Sequence, residues 1–286
     1  ITQINGITSA ANNFFDADSK HIAFTLFDTS YTWTTVIMGL LITICVALVV
    51  IGGLKRISQI SQVVVPFMAV AYVLCCLIMM ICNVTEIPHA VVEIVKSAFG
   101  MDAVAGGALG AMIVAMQKGV ARGLYSNEAG EGSAPVIHSA AQVNHPVEQG
   151  ITGVAEVFLD TFVICTITGL VLGVTGVLDS GAPGNVLAIN AFASVWEPLR
   201  YVVAVCLLMF SSTTLMSQWY FGFVGLNYIF GTKVADKFKY VFPCFCIIGA
   251  LAEIELVWVI QDVALGLLTI PNLIAMVALA PQVRKA

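Results

Sequence analysis

The chain has 286 residues, of which 59% are hydrophobic and only 10% are charged. Soluble globular domains carry about 25% charged residues, so this composition excludes the soluble class and predicts a membrane protein. The net charge of −5 comes from few ionised groups, so it identifies no partner, and we expect no nucleic-acid ligand.

Seven segments are apolar and long enough to cross a bilayer, which takes about 20 residues of helix. They are residues 33–52, 62–84, 103–125, 151–177, 201–225, 241–259 and 263–281. We expect one all-α, polytopic transmembrane domain over residues 1–286. The run after Gly181 and Pro183 predicts an amphipathic helix along the membrane surface, and the eight cysteines are expected to be small packing residues.

Nine of the twelve lysines and arginines fall on one side of the predicted bilayer. Because basic loops are retained in the cytoplasm, this bias predicts a cytoplasmic C-terminus. Residue 1 is an isoleucine, and no signal pattern comes before the first segment. We therefore expect the chain to begin within a longer protein.

The third segment has polar residues where a spanning helix would continue. Its apolar part, residues 103–116, makes only about 20 Å of helix, and Gln117 and Lys118 follow at once. We expect the helix to break between Met116 and Gly119, as helices do at the binding sites of many secondary transporters. The alternative is that the glycines only allow close helix packing.

The stretch "GLYSNEAGEGSAP" follows this segment. It is no phosphate loop, because it lacks the GK[ST] ending. Its glycines, with Asn127 and Glu128, predict a tight hydrogen-bonded turn at the cytoplasmic end of the broken helix.

The fifth segment concentrates hydroxyl and amide groups in the middle of a predicted span. They are Ser211, Ser212, Thr213, Thr214, Ser217 and Gln218. Neutral oxygens suit a hard monovalent cation, so the cluster predicts a lined cavity. The simpler alternative is that each hydroxyl bonds the carbonyl one turn back.

Asp160 lies within the fourth segment, one turn after Glu156. Ionisable groups in a membrane are costly and mark function by default. Asp160 could hold a cation, or form a structural ion pair with Lys118 or Arg122, and the sequence leaves both open.

Two apolar segments carry an early proline, Pro66 and Pro271. They run in opposite directions, as inverted repeats require. The alternative is that transmembrane helices tolerate proline generally.

The motifs "GVARGLYSNEAGEGSAPVIHSAA" and "HPVEQG" resemble the signature region of the sodium:alanine symporter family, and "GGLKRIS" and "DTFVICTITGL" extend the match. The resemblance covers nearly the whole chain. It implies a LeuT-like (APC superfamily) fold of two inverted repeats, with core helices four to ten present here. Residues 1–100 would then end the first repeat, residues 101–286 would form the second, and earlier helices of the same protein would be missing.

The resemblance also implies roles for individual residues. Substrate contacts are expected at Ile113, Met116, Gln117, Gly119, Thr214 and Gln218, and sodium ligands at Ser212 and Thr213. Structural or gating roles are expected for Asn127, Glu128, Gly130 and Asp160.

Together these features predict a transporter and no enzyme. We expect sodium-coupled symport of alanine or glycine across a plasma membrane, a bacterial inner membrane by preference, with sodium as coupling ion and no other cofactor. The alternative is a non-transporting membrane scaffold or sensor that retains the fold.

Overall fold

The computed structural model describes residues 2–16, 20–26, 29–99, 107–181, 184–252 and 254–284. In chain order the elements are α1 (Thr2–Phe15), β1 (Ile22–Leu26), β2 (Thr29–Thr32), α2 (Trp33–Val50), α3 (Gly53–Cys82), α4 (Ile87–Ala98), α5 (Ala108–Ser126), α6 (Ser133–His138), α7 (Pro146–Val157), a π-helix (Phe158–Cys165), α8 (Thr166–Thr175), a 3-10 turn (Val177–Ser180), α9 (Gly184–Val195), α10 (Leu199–Phe230), α11 (Thr232–Leu251) and α12 (Ile254–Val283). The two strands form an antiparallel hairpin, which pairs Thr25 with Ser30.

Five helices in the described part of the chain are long and apolar enough to cross a membrane. They are Trp33–Val50, Gly53–Cys82, Pro146–Thr175, Leu199–Phe230 and Leu256–Val283. They confirm the all-α, multi-pass class. The predicted count of seven is not confirmed, because α5 contains Lys118 and Arg122 among its 19 residues and the first half of α11 is rich in lysine.

Two predictions about individual segments are wrong. The segment 241–259 is not one helix, because α11 ends at Leu251 and Ala252 is extended, with ψ 148°. The predicted amphipathic surface run is instead the apolar helix α9, which buries Ile189 and Phe192 almost completely.

The described chain divides into two compact units that alternate along the sequence. The first contains residues 1–72, 182–189 and 196–262, and the second contains residues 73–181, 190–195 and 263–286. The predicted division into repeats at residue 100 stays a prediction.

The first unit packs α1, α2, α10 and α11 around one core. Val46, Val50 and Leu215 in this core are at most 2% exposed. A Cβ placed at Gly39 of α2 would lie 2.8 Å from Cβ of Ala250 in α11. Lipid is as apolar as these side chains, so close packing of this kind stabilises helix pairs in a membrane.

The second unit brings α4 against α8 and α5 against the π-helix. A Cβ at Gly173 of α8 would lie 3.2 Å from Cβ of Ala90 in α4, which marks a close helix contact. Large apolar side chains such as Ile81 and Val277 are about three quarters exposed, as expected for surfaces that face acyl chains. The packing role predicted for the cysteines holds for the four that are buried, Cys75, Cys76, Cys206 and Cys246; the other four are exposed.

Candidate functional site

Helix α5 carries four of the predicted substrate contacts, and it is continuous. It runs without interruption over Ala108–Ser126, so the predicted break between Met116 and Gly119 is wrong. Gln117 and Lys118 lower the apolar character of the segment, but both residues form helix well, and an interior glycine costs only about 1 kcal/mol.

The predicted contacts on α5 lie on an uncovered face. Ile113, Met116 and Gln117 have the i, i+3, i+4 spacing of one helix face. All three are exposed, Met116 to 60%. A Cβ placed at Gly119 would meet no described atom within 4 Å, so the alternative of close helix packing at this glycine is not observed either.

The helix is interrupted further on, in the turn of residues 127–132 that joins α5 to α6, called the signature turn below. Three of its residues have positive φ: Glu128 (50°), Gly130 (79°) and Gly132 (84°). An α-helix cannot continue through such backbone. Asn127 closes α5, because its backbone N–H and its Nδ2 donate to the carbonyl of Gly123 at 3.2 and 3.0 Å. The predicted tight, hydrogen-bonded turn is confirmed.

Helix α12 holds the signature turn through Asn272, a residue that sequence reasoning missed. Asn272 Nδ2 donates to the carbonyl of Gly130 at 2.9 Å. A Cβ at Gly132 would lie 3.0 Å from Asn272 Oδ1, so glycine is needed there for the close approach. The available signal was an amide in an apolar helix, directly after Pro271.

Two carboxyl groups lie in the signature turn, outside the helices that are long enough to span. Ser133 donates to Glu128 Oε2 at 2.7 Å. Burial raises the pKa of Glu128 above its usual value, and Glu156 adds to this, while Ser133 and His138 act in the opposite direction. Glu131 is only 9% exposed, and its burial, with the nearby charge of Glu128, raises its pKa to about 7.

Asp160 lies in the π-helix Phe158–Cys165 and meets the end of α5. Ser126 donates its hydroxyl to Asp160 Oδ2 at 2.5 Å, and Thr161 donates to Asn127 Oδ1 at 2.5 Å. Two of the predicted gating residues, Asn127 and Asp160, therefore belong to one oxygen-rich contact. π-helices are rare and occur often at functional sites.

Sequence reasoning missed Ser126 as a partner of Asp160. An ion pair of Asp160 with Lys118 or Arg122 stays a prediction. Sequence reasoning also missed the π-helix, for which the composition "FLDTFVIC" carries no signal. Glu156, the second acidic residue of this segment, lies 3.2 Å from His138 Nε2.

Helix α10 holds the remaining predicted site residues, Ser212, Thr213, Thr214 and Gln218, and is continuous over 32 residues. Thr213 donates to the carbonyls of Met209 and Phe210, at 3.1 and 2.9 Å. Thr214 donates to Phe210 at 2.9 Å. The simpler alternative, hydroxyls bonded one turn back, is thus confirmed for both threonines. Thr213 is 8% exposed, and Gln218 is exposed.

These hydroxyl oxygens can still bind a cation, although each hydroxyl donates a hydrogen bond to a carbonyl of its own helix. A threonine that donates its hydrogen to a carbonyl still offers the lone pairs of its oxygen. The α10 residues belong to the first unit and the α5 residues to the second, so a pocket shared by both sets stays a prediction.

Comparison with known proteins gives one family. The family model described as "Sodium:alanine symporter family" matches residues 2–286. An uncharacterised transporter of Haemophilus influenzae is 35% identical over 97% of this chain and 58% of its own length. The amino-acid carrier protein AlsT of Bacillus subtilis is 32% identical, over 96% of this chain and 58% of the carrier.

A third relative is archaeal. The sodium/alanine symporter AgcS of Methanococcus maripaludis is 36% identical over 85% of this chain and 54% of the relative. The chain thus spans a little more than half the length of the curated relatives it matches.

Proposed function

This chain belongs to the sodium:alanine symporter family, and we propose that it works in a secondary transporter that couples sodium entry to uptake of alanine or glycine. The observation that carries the proposal is the family match over residues 2–286, which includes both helices with predicted site residues. The names of relatives, a sodium/alanine symporter and an amino-acid carrier protein, support the same class of cargo.

The proposed sodium ligands are Ser212 and Thr213. Sodium is a hard cation that neutral oxygens can hold without a carboxylate. Thr213 is buried, and its hydrogen points back to Met209 and Phe210. Its oxygen still has lone pairs that could bind a cation.

The proposed substrate contacts join two helices of a LeuT-like fold. Those on α5 are Ile113, Met116, Gln117 and Gly119, and those on α10 are Thr214 and Gln218. The uncovered face of α5 combines apolar side chains for the methyl group of alanine with an amide for its polar end. The proposal includes further N-terminal helices of the same protein as the other wall of this pocket.

The proposed gate is the signature turn with its neighbours in the π-helix. Asn127, Glu128, Gly130 and Asp160 take part in a small network between helix ends that can open and close during alternating access. The lysine and arginine bias supports a cytoplasmic position for this turn and for the C-terminus. The proposed location is a plasma membrane, by preference a bacterial inner membrane.

Uptake of radiolabelled alanine into proteoliposomes tests the proposal on the intact transporter. An inward sodium gradient should drive accumulation that a choline gradient does not, and glycine should compete. Equal uptake in choline and sodium would refute coupling, and binding without uptake would favour a scaffold or sensor.

A matched pair of variants tests the sodium site. Thr213→Val should raise the sodium concentration needed for half-maximal uptake by about tenfold, because the side chain keeps its shape but loses its oxygen. Thr175→Val is the control, since Thr175 donates to two carbonyls, Val171 and Leu172, in the same way but lies outside the proposed site. An equal shift in both variants would contradict the assignment.

A further inference from the structure

Glu131 is a buried acid in the signature turn for which the proposed transport cycle has no role. It is 9% exposed, and within the described part of the chain its carboxyl group has no hydrogen-bond donor and no cationic partner. Buried carboxylates are usually paired or hydrogen-bonded. An unpaired buried carboxyl is more stable in its neutral form.

The backbone on both sides of Glu131 is fixed against α12. Gly130 accepts the hydrogen bond from Asn272, and a Cβ at Gly130 would lie 3.6 Å from Leu273 and 3.8 Å from Thr269. At Gly132 the same Asn272 leaves no room for a side chain. The backbone on either side of Glu131 is therefore held on α12 while the turn is docked.

The charges around the turn do not stabilise an ionised Glu131. Among the described residues, the α12 side chains nearest the glycines of the turn are Thr269, Asn272 and Leu273, and none of them ionises. The charged neighbour of Glu131 on its own turn is Glu128, which is an acid as well.

Two further charged groups act on Glu128 and not on Glu131 directly. They are His138 of α6 and Glu156 of α7, and they lie 3.2 Å from each other. His138 also contacts Gln149 at 2.6 Å. The histidine is thus engaged away from Glu131.

We propose that the Glu131 carboxyl is a proton-binding site, and that its neutral form keeps the signature turn docked on α12. Ionisation places an unpaired charge in a docked turn where Glu131 is only 9% exposed, and the turn undocks so that the carboxylate reaches water. The ligand is a single proton, and the response is an opening of residues 127–132.

The sign of the pH effect follows from the two pKa values. The docked carboxyl titrates near pH 7, against an ordinary value of 4.5. Because the docked state holds its proton up to higher pH, docking is strongest in acid and weakens as pH rises between these values. The equilibrium constant for docking of the turn falls by up to about tenfold per pH unit between these two values, and it levels off above about pH 7.

Hydrogen exchange of the intact transporter tests this without any transported solute. The amides of the signature turn, corrected for intrinsic exchange, should open more with rising pH and reach a plateau above about pH 7. Glu131→Gln cannot ionise, so its turn should stay protected at every pH. Glu148→Gln removes an exposed acid of α7 and should keep the wild-type profile.

Infrared difference spectra keep the proposal testable if Glu131→Gln fails to fold. Wild-type protein should lose a neutral carboxyl band as pH rises through about 7, and Glu131→Asp should move that pH. A wild-type exchange profile without pH dependence, or the same dependence in Glu131→Gln, would overturn the proton site. Neither result bears on sodium coupling, which fails only if uptake proves independent of sodium.

Discussion

Replacing Gly132 by alanine should release the signature turn from α12. Gly132 has φ +84°, and an alanine Cβ would lie 3.0 Å from Asn272 Oδ1 and 3.3 Å from its Cβ. A left-handed alanine costs about 1–2 kcal/mol. If Asn272 moves aside, its bond to Gly130 is lost, at about 0.5–1.5 kcal/mol. We therefore expect docking of the turn to weaken by about 2–3 kcal/mol.

Amide exchange measures this directly. A loss of that size should speed exchange at Asn127 and Glu131 by about thirty- to a hundredfold, since about 1.4 kcal/mol is tenfold. Gly150→Ala is the control, because a Cβ there meets no described atom within 4 Å and alanine favours a helix by about 1 kcal/mol. Exchange in Gly132→Ala as slow as in the wild type would refute the clamp by Asn272.

Two further predictions concern polar groups in the predicted spans, Thr43 and Asp160. Thr43 is 4% exposed, and its hydroxyl has no partner among the described residues. Thr43→Val should therefore leave stability in detergent unchanged or raise it by about 1 kcal/mol, and a loss of about 1 kcal/mol would contradict this. Asp160→Asn keeps an acceptor for the Ser126 hydroxyl but removes the negative charge. Sodium-dependent uptake should therefore fall by about tenfold or more at unchanged stability, and full uptake would show that transport does not use the charge.

The apolar helices could be predicted because hydropathy and length decide whether a segment suits a bilayer. The first span, predicted over 33–52, is Trp33–Val50, and the fifth, predicted over 201–225, lies within Leu199–Phe230. Hydropathy does not show where the backbone leaves the helical conformation inside an apolar run. The end of α11 at Leu251 and the extended residue Ala252 could therefore not be predicted from hydropathy.

For a similar reason, only part of the candidate site could be predicted from the sequence. Gly130 and Gly132 allow the left-handed backbone that the signature turn adopts, so the turn could be predicted from the sequence. The break expected at Met116–Gly119 rested on polarity alone, and polar side chains do not stop a helix whose backbone remains bonded. The contact of Asn272 with Gly130 joins residues 142 positions apart, which no local pattern reveals.

Reciprocal flux tests sodium coupling most directly. If binding of alanine and sodium is thermodynamically linked, each must act on the other equally. An imposed inward alanine gradient should therefore drive radioactive sodium into proteoliposomes that contain the intact transporter, against a sodium gradient. Sodium entry that is the same with and without alanine would contradict the account.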